Sequence, residues 1–182
     1  NCSNKMGCEY CDIAERNSRA QILHEDEYVV VAVKDLVSIP GQITVFPKKH
    51  FTILEAVPDD ILLKCSAMAE KVSLAVFESL DSQGTNVLVY NGLGAGQKVP
   101  HFAIEVIPRR ENDGLNLQWQ PKEVHPEELE IVAAQLQEEI QKPDILTKDE
   151  TAKEQPNGHK AEAVKTEKGK DNYLVKSLRR IP

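Results

Sequence analysis

The sequence predicts an α+β fold, with about five strands and one long helix. Three observations predict it. Short β-prone runs recur through the first 110 residues, and Tyr28-Val29-Val30-Val31-Ala32-Val33 is the strongest of them. One long stretch, from Pro58 to Leu80, repeats apolar residues at three- or four-residue spacing. Near residue 100, His101, Ala103, Glu105 and Ile107 alternate with Phe102, Ile104 and Val106, and a period of two means a strand with two distinct faces.

In chain order, Cys8-Glu9-Tyr10-Cys11-Asp12-Ile13-Ala14 opens the ordered part, and the polar run Arg16 to Arg19 is turn-like. Ile22-Leu23-His24 is a short strand, Glu25-Asp26-Glu27 a turn, and Tyr28 to Val33 the partner strand, so the two read as a hairpin. Lys34-Asp35 begins a loop that ends at Pro40-Gly41. Gln42 to Pro47 is the next strand, with Lys48-Lys49-His50 at its exit. The long helix starts at Pro58-Asp59-Asp60 with Asp59 as its cap. Ile61, Cys65, Met68, Val72, Val76 and Leu80 form its apolar stripe, and Asp81-Ser82-Gln83-Gly84 stops it. Asn86 to Tyr90 is a strand, Asn91-Gly92-Leu93-Gly94-Ala95-Gly96 a glycine loop, and His101 to Arg109 the last strand.

After Arg110 the pattern loosens. Trp119, the only tryptophan, is expected to cover a sheet edge or a subunit contact. A second helix is expected from Pro126 to about Gln141, with Leu129, Val132, Ala133, Leu136 and Ile140 as its stripe and Pro143 ending it. Residues 1–145 form the expected domain. Residues 146–172 are a Lys- and Glu-rich linker by composition. Residues 173–182 place Tyr173, Leu174, Leu178 and Ile181 on one face of a short segment suited to docking on a protein surface. From Leu146 on, nine basic residues outnumber six acidic ones, so the tail carries +3 and the rest of the chain −10.

The net charge of −7 argues against general nucleic-acid or anionic-membrane binding. No apolar run reaches transmembrane length, and Asn1-Cys2-Ser3-Asn4-Lys5 leads into no apolar core, so a cytoplasmic location is expected. The four cysteines are too few for a disulfide-stapled scaffold. Cys8 and Cys11 form a C-x-x-C pair, which metal binding, a redox dithiol or plain buried thiols could all explain. A redox pair of the thioredoxin kind wants a strand before it, and only a polar segment precedes Cys8.

The stretch Gln97-Lys98-Val99-Pro100-His101-Phe102-Ala103-Ile104-Glu105-Val106-Ile107-Pro108-Arg109 resembles the signature of the histidine triad (HIT) nucleotide hydrolases and transferases. In that signature Gln-Ser-Val-x-His-x-His-x-His runs into Ile-Pro-Arg. Gln97, Val99, His101 and Ile107-Pro108-Arg109 match, whereas the serine position is Lys98, the second histidine Ala103 and the third Glu105. The resemblance runs from about Cys8 to Arg110.

It implies an antiparallel sheet with a packed helix, pairing into a homodimer through the long helix and a strand. It implies a purine nucleotide ligand, with Asp35 at the ribose position and Asn91, Gly96, Gln97 and Lys98 toward the phosphate. It also implies structural zinc, because zinc-bearing relatives join an N-terminal C-x-x-C to the histidine after Pro-Lys and to the first triad histidine. Here those residues are Cys8, Cys11, His50 and His101. A set of two thiolates and two imidazoles leaves no exchangeable position and is structural.

In the family the second histidine attacks the α-phosphate. Alanine has no lone pair, so a chain with Ala103 there is expected to bind nucleotide without turning it over. Two other readings follow from the same residues. Glu105 could attack instead, from roughly 7 Å along the strand and with a charge that repels phosphate. Alternatively the chain is an interaction module that works through its C-terminal segment. His24, His125 and His159 have no motif that draws them to the site.

Overall fold

The computed structural model describes residues 7–142, which divide into one unit through Asp113 and a second from Gly114. In the first unit, β1 (Gln21–Glu25), β2 (Val29–Val33), β3 (Ile43–Pro47), β4 (Gly84–Leu88) and β5 (Ile104–Arg109) make one five-stranded sheet in the order β1-β2-β3-β5-β4. Every neighbouring pair is antiparallel. Two helices accompany them, α1 (Glu9–Ala14) and α2 (Asp59–Ser79). This is the α+β arrangement that the sequence predicts.

The β1–β2 hairpin is fixed by Asp26, whose Oδ1 accepts from the backbone N–H groups of Tyr28 and Val29, both at 2.7 Å. An aspartate that closes a turn in this way substitutes its side chain for a missing backbone acceptor. A register shift between Ile22 and His24 puts a bulge in β1, the edge strand.

The period-two reading of the stretch near residue 100 holds, and the neighbouring strands alternate in the same way. Val29 and Val31 of β2, Ile43 and Val45 of β3, and Phe102, Ile104 and Val106 form one core, closed by Cys65, Ala69, Val72 and Val76 of α2. Cys65 is fully buried there. The residues in between, Val30, Ala32 and Phe46, face the other way and pack with Tyr10, Cys11 and Ile13 of α1 and with Cys8. Both sheet faces are thus covered.

Four expectations change in detail. β5 begins at Ile104 rather than His101. Ahead of it the His101 N–H bonds Val99 O at 2.8 Å and the Phe102 N–H bonds Phe51 O, so a turn stands where the ladder would extend, although the alternation of faces persists. β4 runs from Gly84 to Leu88, two residues earlier than expected, because pairing starts at Gly84 opposite Arg109, next to a bond from Gln83 N–H to Arg109 O. Pro58, with φ −58°, is the N-cap of α2, and Asp59 is its first helical residue, where a negative charge meets the positive end of the helix dipole. Ala69 joins the buried stripe of α2, and Leu80 lies past the helix end and is exposed. The helix α1 was not predicted; six residues are too few for periodicity to register.

The second unit contains α3 (Pro126–Ile140), close to the expected bounds. Trp119 and the apolar residues of α3 are exposed in the chain. The linker and terminal segment expected at 146–172 and 173–182 lie outside the described residues, as does Cys2.

Candidate metal centre and ligand cavity

Cys8 is the N-cap of α1 and Cys11 lies one turn inside it, so one short helix presents both sulfurs in the same direction. His50 follows the end of β3, and His101 sits just before β5. β3 and β5 are paired neighbours, so strand register brings the two histidines together, with ring centroids 4.8 Å apart. The ligand atoms of Cys8, Cys11, His50 and His101 all lie within 4.8 Å of one another, and three of the four residues are buried. These are the four residues that the resemblance implies.

Distances test whether a metal fits. Cys8 Sγ is 3.4 Å from His101 Nδ1, Cys11 Sγ is 3.3 Å from His50 Nδ1, and Cys11 Sγ is 3.7 Å from His101 Nδ1. A tetrahedral zinc with ordinary bond lengths sets sulfur and nitrogen about 3.6 Å apart. The tautomer of His101 also fits. Its Nε2 lies 2.9 Å from Pro47 O, an atom that can only accept, so Nε2 carries the proton and the Nδ1 lone pair faces the sulfurs. Burial, opposed by the Pro47 bond and helped by nearby His50, holds the His101 pKa down at about 4. Burial lowers that of His50 too. Both rings are therefore neutral at pH 7, as ligands must be. The four side chains could hold a metal ion.

Beside this cluster lies a cavity of about 620 Å³, a volume in the range of small-molecule pockets. Its wall includes Gly96, Gln97 and Lys98 from the glycine loop and Ala103 and Glu105 from the strand approach, all singled out in the sequence. Gly92 and Gly96 take φ of 91° and 85°, which side-chain-bearing residues rarely adopt, and a 3₁₀ turn (Leu93–Ala95) lies between them. Gln97 braces the loop. Its Oε1 accepts from Gly92 N–H at 2.7 Å, and its Nε2 donates to Thr52 O and Val99 O.

Asp35 and Asn91 stand elsewhere. Asp35 is exposed and is not among the cavity-lining residues. Asn91 accepts from Leu54 N–H at 3.0 Å and donates to Glu55 at 2.8 Å, tying the glycine loop to the segment before α2.

The cavity floor holds a buried carboxylate. Glu105 is only 4% exposed. Its Oε2 accepts from Gln42 Nε2 and Thr44 Oγ1, both at 2.9 Å, and its Oε1 from the Tyr10 hydroxyl at 3.2 Å. Lys34 Nζ lies 3.7 Å from Oε1 and donates to the Tyr10 oxygen at 3.3 Å. Burial and the charge of Glu105 keep the Tyr10 phenol well above its usual range, so it remains a donor. A buried carboxylate is tolerable only when it is well hydrogen-bonded, and three donors and a nearby ammonium serve this one. Sequence reasoning missed Tyr10, Gln42 and Thr44. Thr44 had a visible signal, a hydroxyl in an otherwise apolar strand at the phase that faces Glu105.

A HIT domain model matches residues 15–112. A HIT-like protein of Methanocaldococcus jannaschii is 34% identical over 107 residues, which are 59% of this chain and 82% of that protein. The adenylylsulfatase HINT3 of Arabidopsis thaliana is 31% identical over 59% of this chain and 55% of its own length, so the chain spans about half of that relative. The adenosine 5'-monophosphoramidase HNT1 of Saccharomyces cerevisiae is 30% identical over 64% and 72%. Among solved structures, a HIT family member from Bacillus subtilis superposes with a TM-score of 0.67 at 25% identity, covering 73% of this chain and 96% of that one. A zinc-bound histidine triad family protein from Mycobacterium smegmatis gives 0.58 at 28%, covering 74% and 98%. With a five-stranded sheet, a packed long helix and a model match across more than half its length, the chain belongs to the HIT domain family.

Proposed function

We propose that this protein is a zinc-stabilised, nucleotide-binding HIT protein that does not carry out nucleotidyl transfer. One observation carries the reading: the cavity wall keeps Gly96 and Gln97, with Lys98 at the family's serine position, but a methyl group, Ala103, stands where the resemblance puts the attacking imidazole. Glu105 is a poor substitute. Its oxygens are held by Tyr10, Gln42 and Thr44, and a nucleophile needs a free lone pair aimed at phosphorus.

Adenosine phosphates are the expected ligands. The relatives from Arabidopsis and yeast bear names that refer to adenylyl and adenosine monophosphate chemistry. Lys98, which lines the cavity, supplies a cation for a phosphate. Asp35 and Asn91 reach a ligand in this reading only if their loops adjust on binding. Zinc is the expected metal because Cys2His2 is a zinc donor set, and a closed set of four supplies rigidity rather than catalysis. A homodimer is supported by exposed Leu74 and Phe77 on α2 and Val87 on β4, an apolar surface on the strand that ends the sheet among the described residues. Among the described residues, no helix is long and apolar enough to cross a membrane.

Calorimetric titration with AMP tests the reading: saturable binding supports it, and no heat at millimolar ligand removes it. An adenosine phosphoramidate assay tests the second half. Turnover that disappears in Glu105→Gln would make the protein an enzyme after all.

A further inference from the structure

The metal centre and the cavity share parts. Helix α1 carries Cys11, with Cys8 at its N-cap, and its Glu9 and Tyr10 line the cavity. His101 belongs to both places, since its Nδ1 lies among the sulfurs while the residue forms part of the cavity wall. At six residues α1 is under two turns, and a helix so short has no stability of its own. Its position depends on its tethers: the sulfurs, the buried Ile13 and the Tyr10 side chain. Tyr10 stacks on Phe46 with ring centroids 4.9 Å apart. Its hydroxyl donates to Glu105 and accepts from Lys34.

We infer that the metal centre and the cavity are linked sites, with the Tyr10 hydroxyl as the connection. An ion held by Cys8, Cys11, His50 and His101 fixes α1, and α1 through Tyr10 fixes Glu105 and Lys34 on the cavity floor. When the ion leaves, packing alone holds the helix. Glu105 Oε1 then loses its hydroxyl donor, and a buried carboxylate deprived of a donor draws in the nearest cation. That cation is Lys34, 3.7 Å away. Lys34 closes on Glu105 and is withdrawn from any anion in the cavity. Linkage is reciprocal, so an anion bound to the metal-loaded cavity must tighten the hold on the metal by the same factor. Tyr10 lines the cavity and is a positioning residue in this scheme, acting through Glu105 and Lys34.

The test takes zinc and AMP as probes, and its AMP arm rests on the nucleotide reading above. Zinc-loaded protein competes with a chromophoric chelator, with and without saturating AMP. Wild type is expected to hold zinc about tenfold more tightly with AMP. Tyr10→Phe keeps the ring stack and lacks the hydroxyl; it is expected to bind zinc one to one with an AMP effect under about twofold. AMP binding by calorimetry with unchanged zinc affinity in wild type overturns the linkage.

Hydrogen exchange on the zinc-loaded proteins provides an arm without nucleotide. Tyr10→Phe is expected to exchange faster than wild type at 32–36 and 104–106 while still holding zinc. Acceleration confined to 8–15 overturns the linkage, whether or not AMP binds. Faster exchange at 32–36 and 104–106 with no AMP binding leaves the linkage standing and removes only the nucleotide reading.

Discussion

Beneath α2, Phe102, Ile104 and Val106 meet Val29, Val31, Ile43 and Val45 in a core of apolar side chains and one thiol. One residue out of phase on the same strand approach, His101 and Glu105 turn to the opposite face, where Thr44, Gln42 and Tyr10 give them hydrogen-bonding or ring partners. Both faces are equally buried. The first is held by area and shape, which tolerate many similar residues. The second is held by specific donors and acceptors, and each loss there strands a polar group. Ala103 and Glu105 lie on the second face, so a change there leaves the first untouched.

The largest expected effect lies on the polar face. Cys8→Ser with Cys11→Ser should eliminate bound zinc in elemental analysis and remove on the order of 10 kcal/mol of metal-coupled folding energy. Thermal unfolding should show it as a fall in Tm that added zinc no longer reverses. Zinc retained at full stoichiometry would break the comparison at its strongest point.

Next is the apolar face. Phe102→Ala, at a residue 2% exposed, should cost about 3–5 kcal/mol in urea unfolding, with one zinc still bound. Zinc lost along with stability would mean that the two faces are not separable.

Thr44→Val sharpens the contrast. It keeps the shape of a residue 1% exposed and removes one donor from the Glu105 carboxylate, so it should cost about 1–3 kcal/mol. The same exchange on an apolar face would be close to neutral.

The smallest effect concerns the β1–β2 turn, outside both faces. Burial would raise the pKa of Asp26, but the N–H groups of Val29 and Tyr28 outweigh it and hold the carboxyl below its usual 3.8. With the folded pKa depressed, the contribution is present above pH 3.8 and lost as pH falls below it. Asp26→Ala should therefore destabilise by about 1 kcal/mol at pH 7 and leave stability less sensitive to acid below pH 4. Parallel stability curves for both proteins across that window would overturn this assignment.

Part of the first face was readable because periodicity reports burial. Phe102 and Ile104 and the α2 stripe could be phased from the sequence alone, whereas the unbroken apolar run Val29–Val33 marks a strand without saying which residues face α2. Ala69 was hidden because a small residue contributes little to an apolar pattern. The metal set was legible only in part. C-x-x-C spacing is local, but choosing His50 and His101 needed the resemblance, since their meeting depends on β3–β5 register. The carboxylate network was not legible. Tyr10 lies 95 residues from Glu105, and nothing in a single sequence ties a helix hydroxyl to a strand carboxylate over that distance. Asn91 was named for its place in the motif alone; its amide bonds to the Leu54 N–H and to Glu55 are contacts that no local pattern announces.

Cys65 gives the chain a built-in silence. On the buried face of α2, with burial and the nearby charge of Asp26 pushing its thiol up to about 12, it stays protonated and out of reach of alkylating reagents at neutral pH. Peptides bearing Cys8 and Cys11 will then acquire label when the ion departs, and the Cys65 peptide will stay blank until the whole domain opens. A single mass-spectrometric labelling course can thereby separate loss of the metal from loss of the fold.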